Sequence, residues 1–263
     1  MLRGDAGTSL EVKVRRGDEE KTFRLTRQTI QTPSVSYSGM LPDSVGYIYL
    51  DAFREGAFRE VRDALAGLRE QGACRLIIDL RGNGGGAVDE CVNIASLFLP
   101  RGQHLMSTKG KVPSTNYDYR TALEPVDTLM PLVLMVDGGS ASCSEILAGG
   151  MQDLDRAVLI GERTYGKGLV QSVRDMSFGG QLKMTTCKYY IPSGRCIQAY
   201  DYRHLNADGS AKTLPDSLTH VFHTAGGREV RDGGGVMPDV KVQPDSLPSM
   251  LFDLTSSDEF FTY

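Results

Sequence analysis

Three serines, Ser140, Ser142 and Ser144, stand in a run of small residues, Gly138-Gly139-Ser140-Ala141-Ser142-Cys143-Ser144-Glu145, whose layout suits a nucleophile. The apolar stretch Leu132-Val133-Leu134-Met135-Val136 before it predicts a short buried strand, and Glu145-Ile146-Leu147-Ala148 opens a predicted helix. A strand, a tight turn and a helix expose a hydroxyl on the turn. The helix start aims its unpaired N–H groups at any negative charge that develops there. The same place also suits an ordinary helix N-cap, for which serine is favoured. A second stretch, Arg81-Gly82-Asn83-Gly84-Gly85-Gly86, lies between a predicted strand and a predicted helix, where glycines expose backbone N–H donors. It is not a dinucleotide fingerprint, since the third glycine would fall at Ala87, and it lacks the Gly-Lys-Ser/Thr of a P-loop. It reads either as a tight connection or as an oxyanion-binding backbone. A third stretch, Arg163-Thr164-Tyr165-Gly166-Lys167-Gly168-Leu169-Val170-Gln171, sets a lysine between two glycines with a glutamine four residues on. Lys167 and Gln171 share a face in either helical or strand periodicity.

The elements that position these groups follow in order. Alternating apolar residues on both sides of Arg16-Gly17-Asp18 predict a β-hairpin over Ser9–Val14 and Lys21–Leu25. Residues 30–45, rich in Ser, Thr and Pro, read as a connector. Gly46-Tyr47-Ile48-Tyr49-Leu50 is a predicted strand, and Phe58, Val61, Leu65 and Leu68 recur at helical spacing up to Gly72. Arg75–Leu80 predicts a second buried strand, and Val88, Cys91, Val92, Ala95 and Leu99 a second helix. This β-α-β order argues for an α/β domain. Residues 101–130 read as polar loop, Arg156–Gly161 as a further strand, and 181–200 as a strand pair around Pro192-Ser193-Gly194. Residues 244–263 read as a tail or docked helix.

Composition narrows the function classes. The 263 residues carry a net charge of −4 and no long basic run, which argues against a nucleic-acid partner. No apolar run approaches the ~18 residues of a membrane span. The five cysteines (Cys74, Cys91, Cys143, Cys187, Cys196) and four histidines (His104, His204, His220, His223) show neither a disulfide framework nor metal-ligand spacing. No metal or other cofactor is expected.

Taken in order, the motifs resemble those of the carboxyl-terminal processing proteases, also called tail-specific proteases. Asp79-Leu80-Arg81-Gly82-Asn83-Gly84-Gly85-Gly86 is similar to the family's Asp-Leu-Arg-x-Asn-x-Gly-Gly, and Ser140-Ala141-Ser142-Cys143-Ser144-Glu145-Ile146 to its Ser-Ala-Ser-Ala-Ser-Glu-Ile. Gly161–Gln171 is similar to its Gly-x-x-Thr-Phe-Gly-Lys-Gly-x-Val-Gln. Lys188-Tyr189-Tyr190-Ile191-Pro192-Ser193-Gly194-Arg195 and Gly235-Val236-Met237-Pro238-Asp239 complete the series. The resemblance implies a crotonase/ClpP-like α/β core over residues 30–243. Residues 1–29 would be the closing remnant of a PDZ domain whose front is missing, and 244–263 a C-terminal tail. It implies a serine endopeptidase acting near the C-termini of protein or peptide substrates bound in extended form, with no integral membrane segment and a place in the cell envelope, periplasmic or secreted. An adaptor or an oligomer stays open.

Carried over by position, the resemblance makes Ser142 the nucleophile, Lys167 the general base and Gln171 its orienting partner. The N–H groups of Cys143 and of Gly85 or Gly86 become the oxyanion hole. A lysine at its free pKa of about 10.4 is useless as a base at neutral pH, but burial lowers that value. Cys143 stands where the family usually has alanine, Gly84 where it commonly has proline, and Tyr165 where it has phenylalanine. Three rivals remain: a Ser142 enzyme using His204, His220 or His223, a catalytically silent peptide-binding scaffold of the same fold, and a crotonase-type acyl-CoA enzyme. The last would explain the glycine loop but not the set Ser142, Lys167, Gln171.

Overall fold

The computed structural model of the chain describes residues 2–30 and 32–243; the tail expected over 244–263 lies outside them. Two units are present, Met1–Pro33 and Ser34–Tyr263. In the first, β1 (Ser9–Arg16) pairs antiparallel with β2 (Glu19–Thr26) around Gly17, as the alternation predicts. The unit leaves Val14, Phe23 and Leu25 exposed.

The second unit opens with β3 (Val35–Leu41), β4 (Val45–Leu50), α1 (Ala57–Glu70), β5 (Arg75–Asp79) and α2 (Val88–Ser96). It continues through β6 (His104–Gly110), β7 (Tyr117–Arg120), β8 (Leu132–Val136), α3 (Cys143–Asp153) and β9 (Val158–Gly161). There follow β10 (Leu169–Asp175), β11 (Gln181–Tyr190), β12 (Tyr200–Leu205), β13 (Ala211–Thr213), β14 (Val221–His223), β15 (Glu229–Arg231) and β16 (Val240–Lys241). The main sheet has the order β16-β9-β8-β5-β4-β3, parallel throughout except for the antiparallel β3–β4 edge. Because β4, β5, β8 and β9 are laid down one beside the next, right-handed crossovers put their helices on one face, and α2 there touches both α1 and α3.

Burial explains the local choices. Val61, Leu65 and Leu68 of α1 and Leu76 and Ile78 of β5 join one core with Leu132, Leu134 and Val136 of β8. All eleven residues of α3 are buried, so the helix has no solvent-exposed face and its polar side chains are engaged inside. Its Gly149 and Gly150 let the side chains of Ile191 and Leu105 press onto the helix backbone.

Three expectations need correction. Residues 30–45 are not a bare connector, because β3 runs through them as an edge strand paired with β4; its Ser36, Tyr37 and Ser38 are exposed on both faces, so no apolar alternation marks the strand. Residues 101–130 hold β6 and β7 rather than loop alone, with Pro113 in the turn between them and Leu105 and Met106 buried. The strand pair read over 181–200 is one strand only: β11 pairs with β10 and β6, giving the sheet β10-β11-β6-β7, and residues 195–199 lie outside any strand.

Candidate active site

The serine turn and the glycine loop are built as one piece. Asn83, fully buried, donates its amide to the Leu50 carbonyl (2.7 Å) and accepts from the Gly85 N–H (2.8 Å). Its own carbonyl accepts from the Ala141 N–H (2.9 Å) and the Ser144 hydroxyl (2.8 Å), while Ser140 Oγ donates to Leu80 O (2.7 Å). Ser142 sits at the N-cap of α3 with φ 57° and ψ −114°, a conformation that costs a non-glycine residue about 1–3 kcal/mol and persists only where its surroundings impose it. The glycines are packed too tightly for side chains. A Cβ on Gly85 (φ 100°) would lie 2.8 Å from both Ala141 O and Ser142 Cβ, and one on Gly86 would lie 2.2 Å from Phe53 O. The Gly85 N–H is committed to Asn83, whereas those of Gly86 and Cys143 donate to no acceptor among the described residues.

Lys167 is tied to this turn through Glu145. The buried Glu145 carboxylate accepts four bonds: Oε1 from Thr164 Oγ1 (2.5 Å) and Gly166 N (2.7 Å), Oε2 from Ser142 N (3.0 Å) and Lys167 N (2.8 Å). One carboxylate oxygen therefore fixes the backbones of the expected nucleophile and the expected base together. Burial pushes the Glu145 pKa up, with the bonds from Thr164, Lys167, Gly166 and Ser142 opposing it. On the far side of the lysine loop, Gly166 abuts Ala199 and Gly168 abuts Gln198, whose Oε1 accepts from the Gly168 N–H (2.7 Å). Lys167 is half-buried, and its ammonium makes no hydrogen bond or ion pair among the described residues. The structure brings Ser142 and Lys167 together by backbone; it does not join Ser142 Oγ to Lys167 Nζ by a hydrogen bond.

Behind the glycine loop, Asp79 at the end of β5 accepts from Tyr47 OH (2.7 Å) and from Arg81 Nε and Nη2 (3.0 and 2.6 Å). Burial alone would raise the Asp79 pKa, but the bonds from Arg81 and Tyr47 outweigh it and hold it below the usual carboxylate value. Tyr47, half-buried and facing that carboxylate, is pushed up to about 12 by partial burial and by its bond to Asp79. Since the folded pKa of Asp79 is depressed, its contribution to stability is complete above the free carboxylate pKa of about 3.9 and is lost as pH falls through the native value. An Asp79→Asn variant is therefore expected to lack that part of the acid-induced fall in urea midpoint, measured between about pH 5 and pH 2.

Residues 44–204 match peptidase family S41. The chain belongs to that family. S41 members are serine-type peptidases, hydrolases of peptide bonds. A probable CtpA-like serine protease of Staphylococcus epidermidis is 34% identical over 229 residues, covering 84% of this chain and 45% of its own length. A carboxyl-terminal-processing protease of Synechocystis sp. is 39% identical over 198 residues, covering 73% of this chain and again 45% of its own. The chain thus spans about half the length of these curated relatives, at 45%. Among solved structures, a photosystem II D1 C-terminal processing protease aligns with a TM-score of 0.60 at 28% identity, over 97% of this chain and 62% of that one. A putative S41 protease from Bacteroides fragilis shares the fold at TM-score 0.57 and 16% identity, over 71% and 55% of the two chains. The mixed α/β architecture is that of S41 protease structures.

Within this S41 core the remaining candidates separate. Gln171 is exposed on β10, at a bulge after Val170, and no hydrogen bond links it to Lys167. The Cys143 thiol donates to Gly86 O (3.2 Å) from a fully buried position and Cys91 Sγ donates to Cys143 O (3.3 Å), so the side chain packs beneath the turn. The rival histidines are engaged elsewhere: His204 with Asp201 (2.7 Å) and His220 with Asp232 (3.1 Å), both exposed, and His223 is exposed on β14. No histidine is hydrogen-bonded to Ser142 among the described residues. Glu145 is the residue that sequence reasoning quoted but gave no role. Its signal was present, since Ser-x-x-Glu at a helix start is the capping-box spacing.

Proposed function

We propose that this chain is the catalytic core of a serine endopeptidase that cleaves protein substrates near their carboxyl termini, with Ser142 as nucleophile and Lys167 as general base. The observation that carries the reading is the single Glu145 oxygen holding both backbones beside two uncommitted N–H donors, those of Gly86 and Cys143. Ser142 Oγ attacks the scissile carbonyl while its proton passes to the Lys167 amine. The Gly86 and Cys143 N–H groups receive the developing oxyanion, a kind of contact worth about 3 kcal/mol each by analogy with a removed side-chain donor. Lys167 then gives the proton to the leaving amine, and water, deprotonated by the lysine, resolves the acyl-enzyme. Gln171 has the part of orienting that amine.

An extended substrate has a natural seat. β10 is the edge strand of its sheet and begins two residues after Lys167, so its open side offers backbone pairing to a peptide lying toward Ser142. The crotonase/ClpP-like description of the core, the PDZ origin of residues 1–29 and a location in the cell envelope belong to the same proposal and rest on the motif resemblance. Among the described residues no helix is long and apolar enough to cross a membrane.

The test is product analysis by mass spectrometry on an unfolded protein substrate incubated with wild type and Ser142→Ala. The reading expects fragments shortened from the carboxyl terminus with wild type and none with the variant. An intact substrate in both, together with tight peptide binding, would favour the silent scaffold.

A further inference from the structure

Tyr189 on β11 is fully buried, yet its hydroxyl reaches the site. It donates to the Lys167 carbonyl at 2.6 Å and lies 3.3 Å from the Ser142 carbonyl. The Tyr189 N–H in turn donates to the Gly168 carbonyl (3.0 Å), so strand and side chain grip the lysine loop together. The contacts complement those of Glu145: the carboxylate takes the N–H groups of Ser142 and Lys167, and the phenol faces their carbonyls. The two N–H groups are thus held by one buried side chain and the Lys167 carbonyl by the other, which lies against the Ser142 carbonyl. Burial and the Glu145 charge raise the Tyr189 pKa, which keeps the phenol protonated as a donor.

We infer that Tyr189 is a positioning residue for the Ser142–Lys167 pair, its hydroxyl holding the Lys167 carbonyl beside that of Ser142, which the first turn of α3 fixes through the N–H groups of Glu145 and Ile146 (2.9 Å each). The inference rests on the peptidase reading above. It assigns the hydroxyl a mechanistic part distinct from the packing of its ring, which phenylalanine would reproduce. Among the described residues no side chain bonds the Lys167 amine, Gln171 included, so in this structure its place follows from its backbone, and a shift of the loop is passed on to the reacting nitrogen. A displacement of about 1 Å at a reacting group costs on the order of a hundredfold in rate.

The test compares wild type, Tyr189→Phe and the neighbouring control Tyr190→Phe, which loses a hydroxyl from the next residue of the same strand. The rate of labelling by a fluorophosphonate serine probe is followed across about pH 6 to 10, the window below a free lysine, together with the final extent of labelling. Tyr189→Phe is expected to label about ten- to a hundredfold more slowly, with a changed pH–rate profile and full final incorporation. Tyr190→Phe keeps the wild-type profile. An unchanged rate in Tyr189→Phe overturns the inference. So does a loss confined to the final extent with an unmoved pH profile, because that is the signature of misfolded protein alone. If wild type labels no better than Ser142→Ala, the peptidase reading itself fails and the inference falls with it, a result separable from the others by that one control.

Discussion

Glu145→Gln is expected to slow serine-probe labelling by about a hundredfold or more, although Ser142 and Lys167 are untouched. The carboxylate has two acceptor oxygens and each takes two donors, four in all. An amide keeps one oxygen and turns its NH2 toward the other pair, so either Ser142 and Lys167 or Thr164 and Gly166 meet a donor where an acceptor stood. Each buried donor left without a partner costs about 1–3 kcal/mol, and the loop carrying Lys167 must move to relieve it. Labelling rate, corrected for the folded fraction by urea denaturation, checks this. Acid should act like the substitution. Because burial raises the Glu145 pKa, the folded state binds this proton more tightly than the unfolded chain, and the group's contribution to stability falls as pH rises between the free and native values. Lowering the pH through the native value therefore removes an acceptor from the site without a stability penalty from this group. Labelling is expected to be lost in acid with no loss of stability traceable to Glu145.

Arg195→Met is expected to destabilise the fold by about 3–5 kcal/mol, the cost of leaving a buried charge without its partner. Arg195 is 1% exposed and Asp153 fully buried, with Nη2 2.8 Å from Asp153 Oδ1. The same guanidinium donates to Gln152 Oε1 (2.8 Å) and to the Arg231 carbonyl (3.0 Å), and Asp153 Oδ2 accepts from the Ser193 N–H (3.0 Å). Burial presses the Arg195 pKa below the usual guanidinium value against the opposing charge of Asp153, which shows how much solvation the pair gives up. Asp153 closes α3 at the end opposite Ser142, so the variant should lose stability while its folded fraction still labels. Urea midpoints of Arg195→Met, Asp153→Leu and the double variant measure it. The double variant is expected to regain much of the loss, since a buried pair replaced as a whole is often tolerated.

Much of this site could be read from residue order, because its chemistry depends on short local motifs. Ser142 is marked by the small-residue turn between a strand and a helix, and Lys167 by the glycines that let its loop lie against Gln198 and Ala199. What escaped was tertiary. Glu145 was visible as a capping-box residue, but nothing in its spacing says that its carboxylate also holds Gly166 and Lys167, more than twenty residues on. The choice between Gly85 and Gly86 as free donor is made by Asn83, whose side chain takes the Gly85 N–H. In the fold, the buried strands β4, β5 and β8 announced themselves as apolar runs. By contrast β3 and β7 are edge strands with exposed polar residues, and β6 alternates too weakly, so they read as loop.

The pairing of Ser142 with Lys167 as nucleophile and base is tested most directly by fluorophosphonate labelling across about pH 6 to 10, the range below a free lysine, on wild type, Ser142→Ala and Lys167→Ala. The account predicts that both variants lose labelling. Full labelling of Lys167→Ala with the wild-type pH profile would contradict it.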